Sequence, residues 1–363
     1  MASTGSQIAP DEAKLNEFMN RAVGDMGAAI NASLIAIGDR LGLYKAMADG
    51  AWMTSAEVAQ KTGTTERYVR EWLNAQAASS YVSYDAASGK YALSPEQAFA
   101  LANEESPVYL PGFFLVAVSA ARDVEKIINA FRTGEGVGWH EHHEWLFEGT
   151  EKFFRPGYNA NLLSQWIPAL DGVEPKLKKG AKVADVGCGH GASTIIMARA
   201  YPNSTFTGFD YHSGSIERAR TLAAQAGLEH RAVFEVASAK AYPGNDYDLI
   251  TFFDCLHDMG DPVGAARHVF RSLKPGGSWM IVEPRAEDTV EGNLNPVGRI
   301  FYAASTMLCT PASLSQEVGM ALGAQAGEKR IAEVVKAGGF RSFRRAAETP
   351  FNLVFEARRH PAT

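Results

Sequence analysis

From residue 182 onward, short apolar runs alternate with segments of helical periodicity. Apolar runs of strand length occur at residues 182–186, 205–209, 232–236, 247–253 and 278–282. Helical patterns lie between them at residues 193–200, 215–226 and 262–273. Strands that alternate with helices are typical of a parallel, doubly wound sheet. This part of the chain is therefore predicted to be an α/β domain.

The end of the chain predicts a different strand direction. After a helix at residues 328–337, two strands are predicted at residues 343–347 and 352–357. The link between them is too short for a parallel crossover, so the last strand must run antiparallel. The segment before that helix, residues 285–327, is a long insertion rich in Met, Ala, Gly and Ser, and we expect it to be functional or partly helical.

The amino-terminal part of the chain has a mainly helical pattern. Residues 1–20 are polar and are expected to be frayed or to form a short arm. Helices are predicted at residues 22–47, 54–63 and 64–73, and a hairpin at residues 81–93. Three helices followed by a hairpin are typical of a winged-helix domain.

A winged-helix pattern leaves two roles open. DNA binding would need a basic helix face, but Arg67 and Arg70 share theirs with Glu71. We therefore favour a domain for dimerisation and for covering a substrate. The predicted division of the chain is residues 1–105 for this domain, 106–176 for a helical linker that contributes to a substrate pocket, and 177–363 for the α/β domain.

Composition narrows the partners and the compartment. With 46% hydrophobic and 21% charged residues, the 363-residue chain is globular and long enough for two domains. Its 35 basic residues against 41 acidic residues give a net charge of −6, which argues against nucleic acid or an anionic membrane as partner. The first residues lack a signal pattern, no apolar run is long enough for a membrane span, and three cysteines are too few for a disulfide framework. We expect a cytoplasmic protein.

A glycine-rich turn follows the first strand of the α/β pattern. Gly187, Gly189 and Gly191 stand at alternate positions after Asp185. Glycine tolerates positive φ and lets a ligand approach the backbone. The spacing also fits the loose dinucleotide-binding fingerprint, so the turn alone leaves NAD and S-adenosylmethionine open. A second acid, Asp210, closes the next strand, and with either cofactor it would bind a ribose through its hydroxyls.

An antiparallel closing strand is unusual in a nicotinamide-binding sheet, and with these motifs the sequence resembles the class I S-adenosylmethionine-dependent methyltransferases. The resemblance covers residues 177–363 and is carried by the glycine turn, by Asp210 and by the Leu-Lys-Pro-Gly-Gly turn at residues 273–277. It implies a Rossmann-like sheet of seven strands with an antiparallel last strand, and S-adenosyl-L-methionine as cofactor. The amino-terminal pattern and the Leu-His-Asp-Met sequence at residues 256–259 look like the small-molecule O-methyltransferase branch, in which a winged-helix domain dimerises and covers the active site.

In that branch the catalytic histidine sits in a His-Asp pair after the fourth strand, and His257 and Asp258 match this pair. The resemblance implies methyl transfer to a hydroxyl of a small aromatic or apolar metabolite by a homodimer. His257 would be the general base, and Asp258 would orient its ring or cap the next helix. A neutral histidine is a suitable base for a phenol or thiol. Nitrogen, sulfur and carbon acceptors stay open, as do a ligand-sensing regulator and a nicotinamide oxidoreductase.

Candidate cofactor contacts lie in the glycine turn, at strand ends and in the linker. They are Asp185, Gly187, Cys188, Gly189, Gly191, Asp210, Tyr211, Ser238, Ala239, Asp254 and Tyr158. Two positions depart from the family pattern. Met259 stands where Trp is common, and Ser238 replaces the acid expected near the adenine amino group, so that Ser238 and backbone would bind adenine. The thiols of Cys188 and Cys255 are interpreted as small packing groups.

Histidines and aromatic residues are concentrated in the linker. On a helix, His140 and His143 would share one face, with His142 beside them. No wider ligand motif accompanies them, so we predict no metal site and interpret them as a polar face or a substrate wall. The aromatic residues nearby are expected to line a pocket or to pack the linker helices; they are Trp139, Trp145, Phe153, Phe154 and Tyr158.

Overall fold

The structure is a computed structural model that describes residues 10–360. It divides into two compact units, one ending at Val118 and the other beginning at Ser119. The three-part division at residues 105 and 176 stays a prediction. Of the predicted amino-terminal arm, residues 1–9 lie outside the described residues. The remainder of that prediction is wrong, because the side chain of Asp11 caps a helix that begins at Glu12.

The first unit consists of helices and one hairpin. Its helices are α1 (Glu12–Arg40), α2 (Leu43–Ala46), α3 (Ser55–Thr62), α4 (Glu66–Ala78), α5 (Pro95–Leu101) and α6 (Pro111–Arg122), the last of which runs across the division. Its strands β1 (Ser83–Asp85) and β2 (Lys90–Ala92) pair antiparallel. The predicted order of helices and hairpin is confirmed. The helix predicted at residues 22–47 breaks at Gly42, where φ is +69°, and continues as α2.

The basic residues of α4 are neutralised within the helix. The guanidinium of Arg67 lies 2.6 Å from the carboxylate of Glu71, and that of Arg70 lies 2.8 Å from Glu66. Both pairs are four residues apart, a spacing that places partners on the same helix face. The predicted thin basic face therefore carries as many acids as bases.

Helix α1 carries an exposed apolar stripe. The stripe consists of Leu15, Phe18, Met19, Val23, Met26, Ile30 and Ile37, each more than two-fifths exposed. These residues recur three, four or seven apart and so lie on one helix face. The first buried residue of α1 is Asn31. More than half of the helix therefore has no buried residue among the described residues, and an apolar surface of this kind marks an interaction site.

The second unit is an α/β domain built on one sheet. Its helices are α7 (Val124–Thr133), α8 (Trp145–Asn161), α9 (Val173–Lys179), α10 (Ala192–Ala200), α11 (Ser213–Gln225), α12 (Pro262–Ser272), α13 (Pro296–Ala304), α14 (Thr310–Leu314) and α15 (Gly327–Ala337). Its strands are β3 (Lys182–Val186), β4 (Thr205–Asp210), β5 (Ala232–Val236), β6 (Tyr247–Phe253), β7 (Leu273–Pro284), β8 (Ser342–Glu348) and β9 (Asn352–Arg358).

The sheet has the strand order β5-β4-β3-β6-β7-β9-β8. The first five strands in this order are parallel, and β9 runs antiparallel to both β7 and β8. The predicted seven-stranded, Rossmann-like sheet with an antiparallel last strand is confirmed. Because β3, β4, β6 and β7 are parallel, the loops that follow them meet at one edge of the sheet, where open α/β sheets bind ligands.

One predicted strand is longer in the structure, and the long insertion has a defined helical structure. The strand predicted at residues 278–282 is the second half of a longer strand that begins at Leu273. The insertion at residues 285–327 is partly helical, as expected, and contains α13, a π-helical turn (Ser305–Cys309) and α14 in direct succession. No helix among residues 10–360 is both long and apolar enough to cross a membrane.

Candidate active site

The glycine turn joins β3 to α10 at the carboxyl edge of the sheet. Gly187, Gly189 and Gly191 have φ values of +72°, +51° and +79°. A Cβ on Gly187 would lie 2.7 Å from Sγ of Cys255, so a side chain does not fit there. A Cβ on Gly189 would meet no atom within 4 Å, so that face of the turn is open. The turn therefore offers bare backbone to a ligand.

Asp185 supports this turn from behind. It is 1% exposed, and its carboxylate accepts hydrogen bonds from the hydroxyls of Ser193 at 2.7 Å, Thr194 at 2.5 Å and Thr251 at 3.0 Å. Burial raises the pKa of Asp185 to about 6, although the hydroxyl contacts oppose the shift. The predicted contact with a cofactor is not what this geometry provides. Asp185 instead ties the first turn of α10 to β3 and β6.

Asp210 ends β4 beside the glycine turn. Its Oδ2 accepts a hydrogen bond from the backbone N–H of Gly189 at 3.0 Å, and its Oδ1 accepts one from that of His212 at 2.9 Å. Burial raises the pKa of Asp210, while these backbone contacts oppose the shift. The two N–H groups fix the carboxylate at the edge of the cavity, where its remaining lone pairs can accept from ligand hydroxyls.

A cavity of about 440 Å³ opens beside the glycine turn. This volume lies in the range of small-molecule sites. The predicted site residues that line it are Tyr158, Gly187, Cys188, Gly189, Asp210, Tyr211, Ser238, Ala239, Asp254 and Asp258. Those that do not are Asp185, Gly191 and His257. The aromatic side chains of Trp139, Phe147, Phe154 and Phe253 complete much of the apolar wall.

His257 lies between two carboxylates and is 3% exposed. Its Nδ1 is 2.7 Å from Oε2 of Glu283. Its Nε2 is 3.1 Å from Oδ1 of Asp258, a buried oxygen that has no other hydrogen-bond partner among residues 10–360. Burial acts to lower the pKa of His257, yet the charges of Asp258 and Glu283 raise it well above its usual range.

Asp258 connects the His257 ring to the cavity. Its Oδ2 accepts a hydrogen bond from the indole N–H of Trp139 at 3.0 Å, and both residues line the cavity. The side chain of Gln316 donates to the backbone oxygen of Asp258 at 2.9 Å. Ser315 and Gln316 also line the cavity, so the segment that follows α14 in the long insertion contributes to its wall.

Asp254 occupies a strained position after β6. Its φ is +50°, an uncommon value for a residue with a side chain. Its carboxylate accepts hydrogen bonds from the hydroxyl of Tyr158 at 3.2 Å and from the amide of Asn352 at 2.8 Å. Burial and then the charge of Glu283 raise the pKa of Asp254 well above its usual range. These two hydrogen bonds hold the side chain at the cavity wall beside Tyr158.

The three histidines of the linker point in different directions. His140 lines the cavity. His142 is buried with Nδ1 2.8 Å from Oδ2 of Asp123, and His143 contacts the guanidinium of Arg122. His140 belongs to a 3₁₀ turn rather than an α-helix, and for that reason His140 and His143 do not share a face.

Three residues at the site were missed by reasoning from the sequence. Glu283 had a usable signal, because it ends the strand next to β6 in a parallel pair whose carboxyl ends meet. His190 stands inside the glycine turn and lines the cavity, and burial lowers its pKa to about 4. Gln316 had no local signal, since its position depends on how the insertion folds back.

These residues fit S-adenosylmethionine. Gly187 has no room for a side chain beside Cys255, Gly189 exposes backbone, and Asp210 presents a fixed carboxylate next to the turn. Ser238 and Ala239 line the same cavity after β5. The site thus combines a glycine turn with an acid at the end of the second strand, an arrangement suited to the ribose of a nucleoside.

Comparison with known proteins identifies both parts of the chain. Residues 177–338 match the family model described as a methyltransferase domain, and residues 28–103 match that of a Rv2258c-like winged HTH domain. The 27-O-demethylrifamycin SV methyltransferase of Amycolatopsis mediterranei is 36% identical over 110 residues, which are 30% of this chain and 40% of that protein. A ubiquinone biosynthesis O-methyltransferase of Paracidovorax citrulli is 34% identical over 142 residues, which are 38% of this chain and 55% of that protein. The chain therefore spans about half the length of the curated relatives it matches.

A solved structure extends the likeness to the whole chain. Human N-acetylserotonin methyltransferase, in complex with S-adenosylmethionine, matches with a TM-score of 0.71 at 17% identity, over 99% of this chain and 100% of that one. At this identity the match shows the fold. The family model and the fold support the same cofactor as the glycine turn and Asp210, namely S-adenosylmethionine. The chain therefore contains a methyltransferase domain at residues 177–338, preceded at residues 28–103 by a Rv2258c-like winged HTH domain.

Proposed function

We propose that the protein transfers a methyl group from S-adenosylmethionine to a hydroxyl of a small aromatic or apolar metabolite. The observation that carries this proposal is one cavity that joins the glycine turn and Asp210 on one side to Trp139 and Asp258 on the other. The cofactor supplies an activated methyl carbon. In the reaction an O–C bond forms, a C–S bond breaks, and the acceptor hydroxyl gives up its proton. The two relatives named above act, by their names, as methyltransferases on other compounds.

The cofactor side of the cavity is proposed to follow the predicted contacts except at two residues, Asp185 and Gly191. Gly187, Gly189 and the neighbouring Cys188 present backbone, and Asp210 accepts from ribose hydroxyls. Tyr211, Ser238 and Ala239 face the adenine of the cofactor. Tyr158 and Asp254 face the opposite end of the cofactor. Asp185 and Gly191 hold the turn in shape, since neither lines the cavity.

His257 is proposed as the general base through Nε2. Its Nδ1 is held by Glu283, which leaves Nε2 on the side of Asp258 and the cavity. The raised pKa of His257 suits a phenolic acceptor, because proton transfer is most effective between groups of similar pKa. His257 stands one residue behind the lining, so the acceptor oxygen has to reach it past Asp258. An amine acceptor would need orientation more than deprotonation.

The α1 stripe is proposed to form the interface of a homodimer. Six of its seven residues precede Asn31, in the part of α1 that has no buried residue. Burying them against a second copy removes this surface from water at about 25 cal/mol per Å². This accords with the predicted dimerising role of residues 1–105. A cytoplasmic location stays a prediction.

A DNA-binding regulator is the second candidate, and the match to a winged HTH domain favours it. The paired arginines of α4 oppose it, because each guanidinium already has a carboxylate partner. Retardation of a DNA duplex by the protein at low salt, lost at high salt, would support regulation. If the protein binds the cofactor but retards no DNA at any salt concentration, the regulator is rejected and the enzyme is the remaining candidate.

The proposed activity is tested in two steps. Calorimetry with S-adenosylhomocysteine and with NAD should show binding of the first and none of the second. Incubation with methyl-labelled S-adenosylmethionine and a cell extract should then give a labelled small molecule whose new methyl group is an ether. Tight NAD binding without S-adenosylhomocysteine binding would reject the proposal, and a methyl on nitrogen, sulfur or carbon would reject the hydroxyl acceptor.

A further inference from the structure

Three side chains with metal-binding atoms meet behind the cavity wall. One ligand atom from each of His257, Asp258 and Cys309 lies within 4.8 Å of the other two. His257 and Asp258 follow β6, whereas Cys309 ends the π-helical turn of the long insertion. His257 and Cys309 are 3% and 7% exposed. The fold of the insertion therefore brings a thiol to the proposed base.

Two atoms of this cluster face each other without a suitable bridge. While Nδ1 of His257 faces Glu283, its Nε2 faces Oδ1 of Asp258 at 3.1 Å. Among residues 10–360 this buried oxygen has no hydrogen-bond partner of good geometry. A buried carboxylate oxygen without a partner is costly. A cation set off the line between Nε2 and Oδ1 would contact both atoms in place of a proton on Nε2.

The contacts around the cluster are those of a metal site. A histidine that binds a metal usually donates its other ring N–H to a carboxylate, and His257 has Glu283 in that place at 2.7 Å. A carboxylate ligand is usually held by a hydrogen bond to its second oxygen, and Asp258 receives the indole N–H of Trp139 at 3.0 Å. Both first ligands are thus oriented before a cation arrives.

We propose that His257, Asp258 and Cys309 bind a thiophilic divalent cation of the Zn²⁺ class. Imidazole nitrogen, carboxylate oxygen and thiolate sulfur are the ligand types of zinc, and sulfur selects against Mg²⁺ and Ca²⁺. Three protein ligands leave a fourth position. Asp258 lines the cavity, so water or an acceptor atom takes this position from that side.

Occupation of the site is expected to inhibit methyl transfer. The cation uses the Nε2 lone pair that the proposed base needs, so one His257 ring cannot hold Zn²⁺ and accept a proton. This consequence rests on the proposed function, whereas binding of the cation does not. The site would make turnover sensitive to free zinc.

Cobalt(II) is the probe that reads the thiolate ligand directly. One equivalent of Co²⁺ added to the reduced full-length protein should give a thiolate-to-cobalt charge-transfer band, and Zn²⁺ should displace it. Cys309→Ala should abolish the band and weaken Zn²⁺ affinity roughly a hundredfold. Cys188→Ala, which removes a buried thiol outside the cluster, should keep both. Circular dichroism and thermal unfolding show whether each variant is folded.

The outcomes separate the cation site from the proposed reaction. Absence of the band in the wild-type protein, or its survival in Cys309→Ala, would overturn the site whether or not the protein methylates. A band in the wild-type protein together with turnover that Zn²⁺ does not affect would keep the site and reject His257 as base. If Cys309→Ala loses the band and its turnover is no longer inhibited by zinc, both the cation site and the role of His257 as base are supported.

Discussion

Nδ1 of His257 lies 2.7 Å from Oε2 of Glu283, and the other oxygen of the same carboxylate accepts the backbone N–H of Leu256 at 3.0 Å. Glu283 thus fixes both the ring of His257 and the turn that carries it. A carboxylate at Nδ1 keeps the ring proton on that nitrogen, which leaves Nε2 to exchange a proton with an acceptor. The tautomer of His257 is therefore set by a residue at the end of another strand.

Replacing Glu283 by Gln should reverse that tautomer. The amide N–H would donate to Nδ1, so the ring proton would move to Nε2 and the base would lose its lone pair. We expect turnover to fall about a hundredfold or more, while S-adenosylhomocysteine affinity measured by calorimetry stays near that of the wild type. Glu333→Gln, on the exposed side of α15, is the matched control. Undiminished turnover in Glu283→Gln would contradict this role.

Removing the imidazole should separate chemistry from cofactor binding. In His257→Ala we expect cofactor affinity close to that of the wild type, because His257 does not line the cavity, and turnover lower by about a hundredfold or more. Single-turnover rates with the identified acceptor are the measurement. His230→Ala removes an exposed histidine and should have no effect. An unchanged rate in His257→Ala would reject the base.

Asp210 should matter for binding rather than for turnover. In Asp210→Ala the ribose loses its acceptor and the backbone N–H groups of Gly189 and His212 lose theirs. We expect the Kd for S-adenosylhomocysteine to rise at least about tenfold, which corresponds to about 1.4 kcal/mol. Glu217→Ala, on the exposed face of α11, serves as the control. If calorimetry gives equal Kd values for Asp210→Ala and wild type, the cofactor lies elsewhere.

Asp185 predicts a dependence of stability on pH. Its folded-state pKa of about 6 is above its unfolded value, so the stability it contributes is complete below the unfolded pKa and is lost as pH rises through the folded pKa. Asn carries no such charge. The free energy of unfolding of Asp185→Asn relative to wild type should therefore rise by up to about 3 kcal/mol from about pH 4 to about pH 7.

Urea titrations at both pH values measure this difference. Glu229→Gln, which changes a half-exposed acid, should show no comparable trend relative to the wild type. A relative stability of Asp185→Asn that does not change with pH would mean that Asp185 is as readily ionised in the folded protein as in the unfolded chain.

The α1 stripe predicts a dimer that one charge can weaken. Ile30 is 72% exposed in the chain, and burying a glutamate in its place against a second copy would be costly. We expect Ile30→Glu to shift the sedimentation of the protein from dimer to monomer at micromolar concentration. Ala28→Glu places the same charge on the opposite face of α1 and should remain dimeric. A wild-type protein that sediments as a monomer would remove the interface.

Sequence and structure agree where a signal is local or periodic. The strand pattern, the glycine turn and the acid at Asp210 all come from short segments, and each lies where the pattern indicates. The hydrogen bonds of Asp185 could not be predicted in this way, because the hydroxyls of Ser193, Thr194 and Thr251 reach its carboxylate only in the folded domain.

Contacts between distant segments could not be predicted from the sequence. The link from Trp139 to Asp258 spans 119 residues, and the position of Cys309 depends on a π-helical turn that has no sequence signature. Such contacts are decided by packing of whole elements rather than by any local preference.

The hydrogen bond from Trp139 to Asp258 ties acceptor choice to proton handling. The same indole that shapes the apolar wall also anchors the neighbour of the His257 ring. A substitution of Trp139 that makes room for a bulkier compound would also remove the hydrogen bond that holds the carboxylate of Asp258. Broadening the range of compounds accepted and keeping the catalytic rate are therefore competing aims at this one position, and variants that succeed should carry a compensating donor for Asp258.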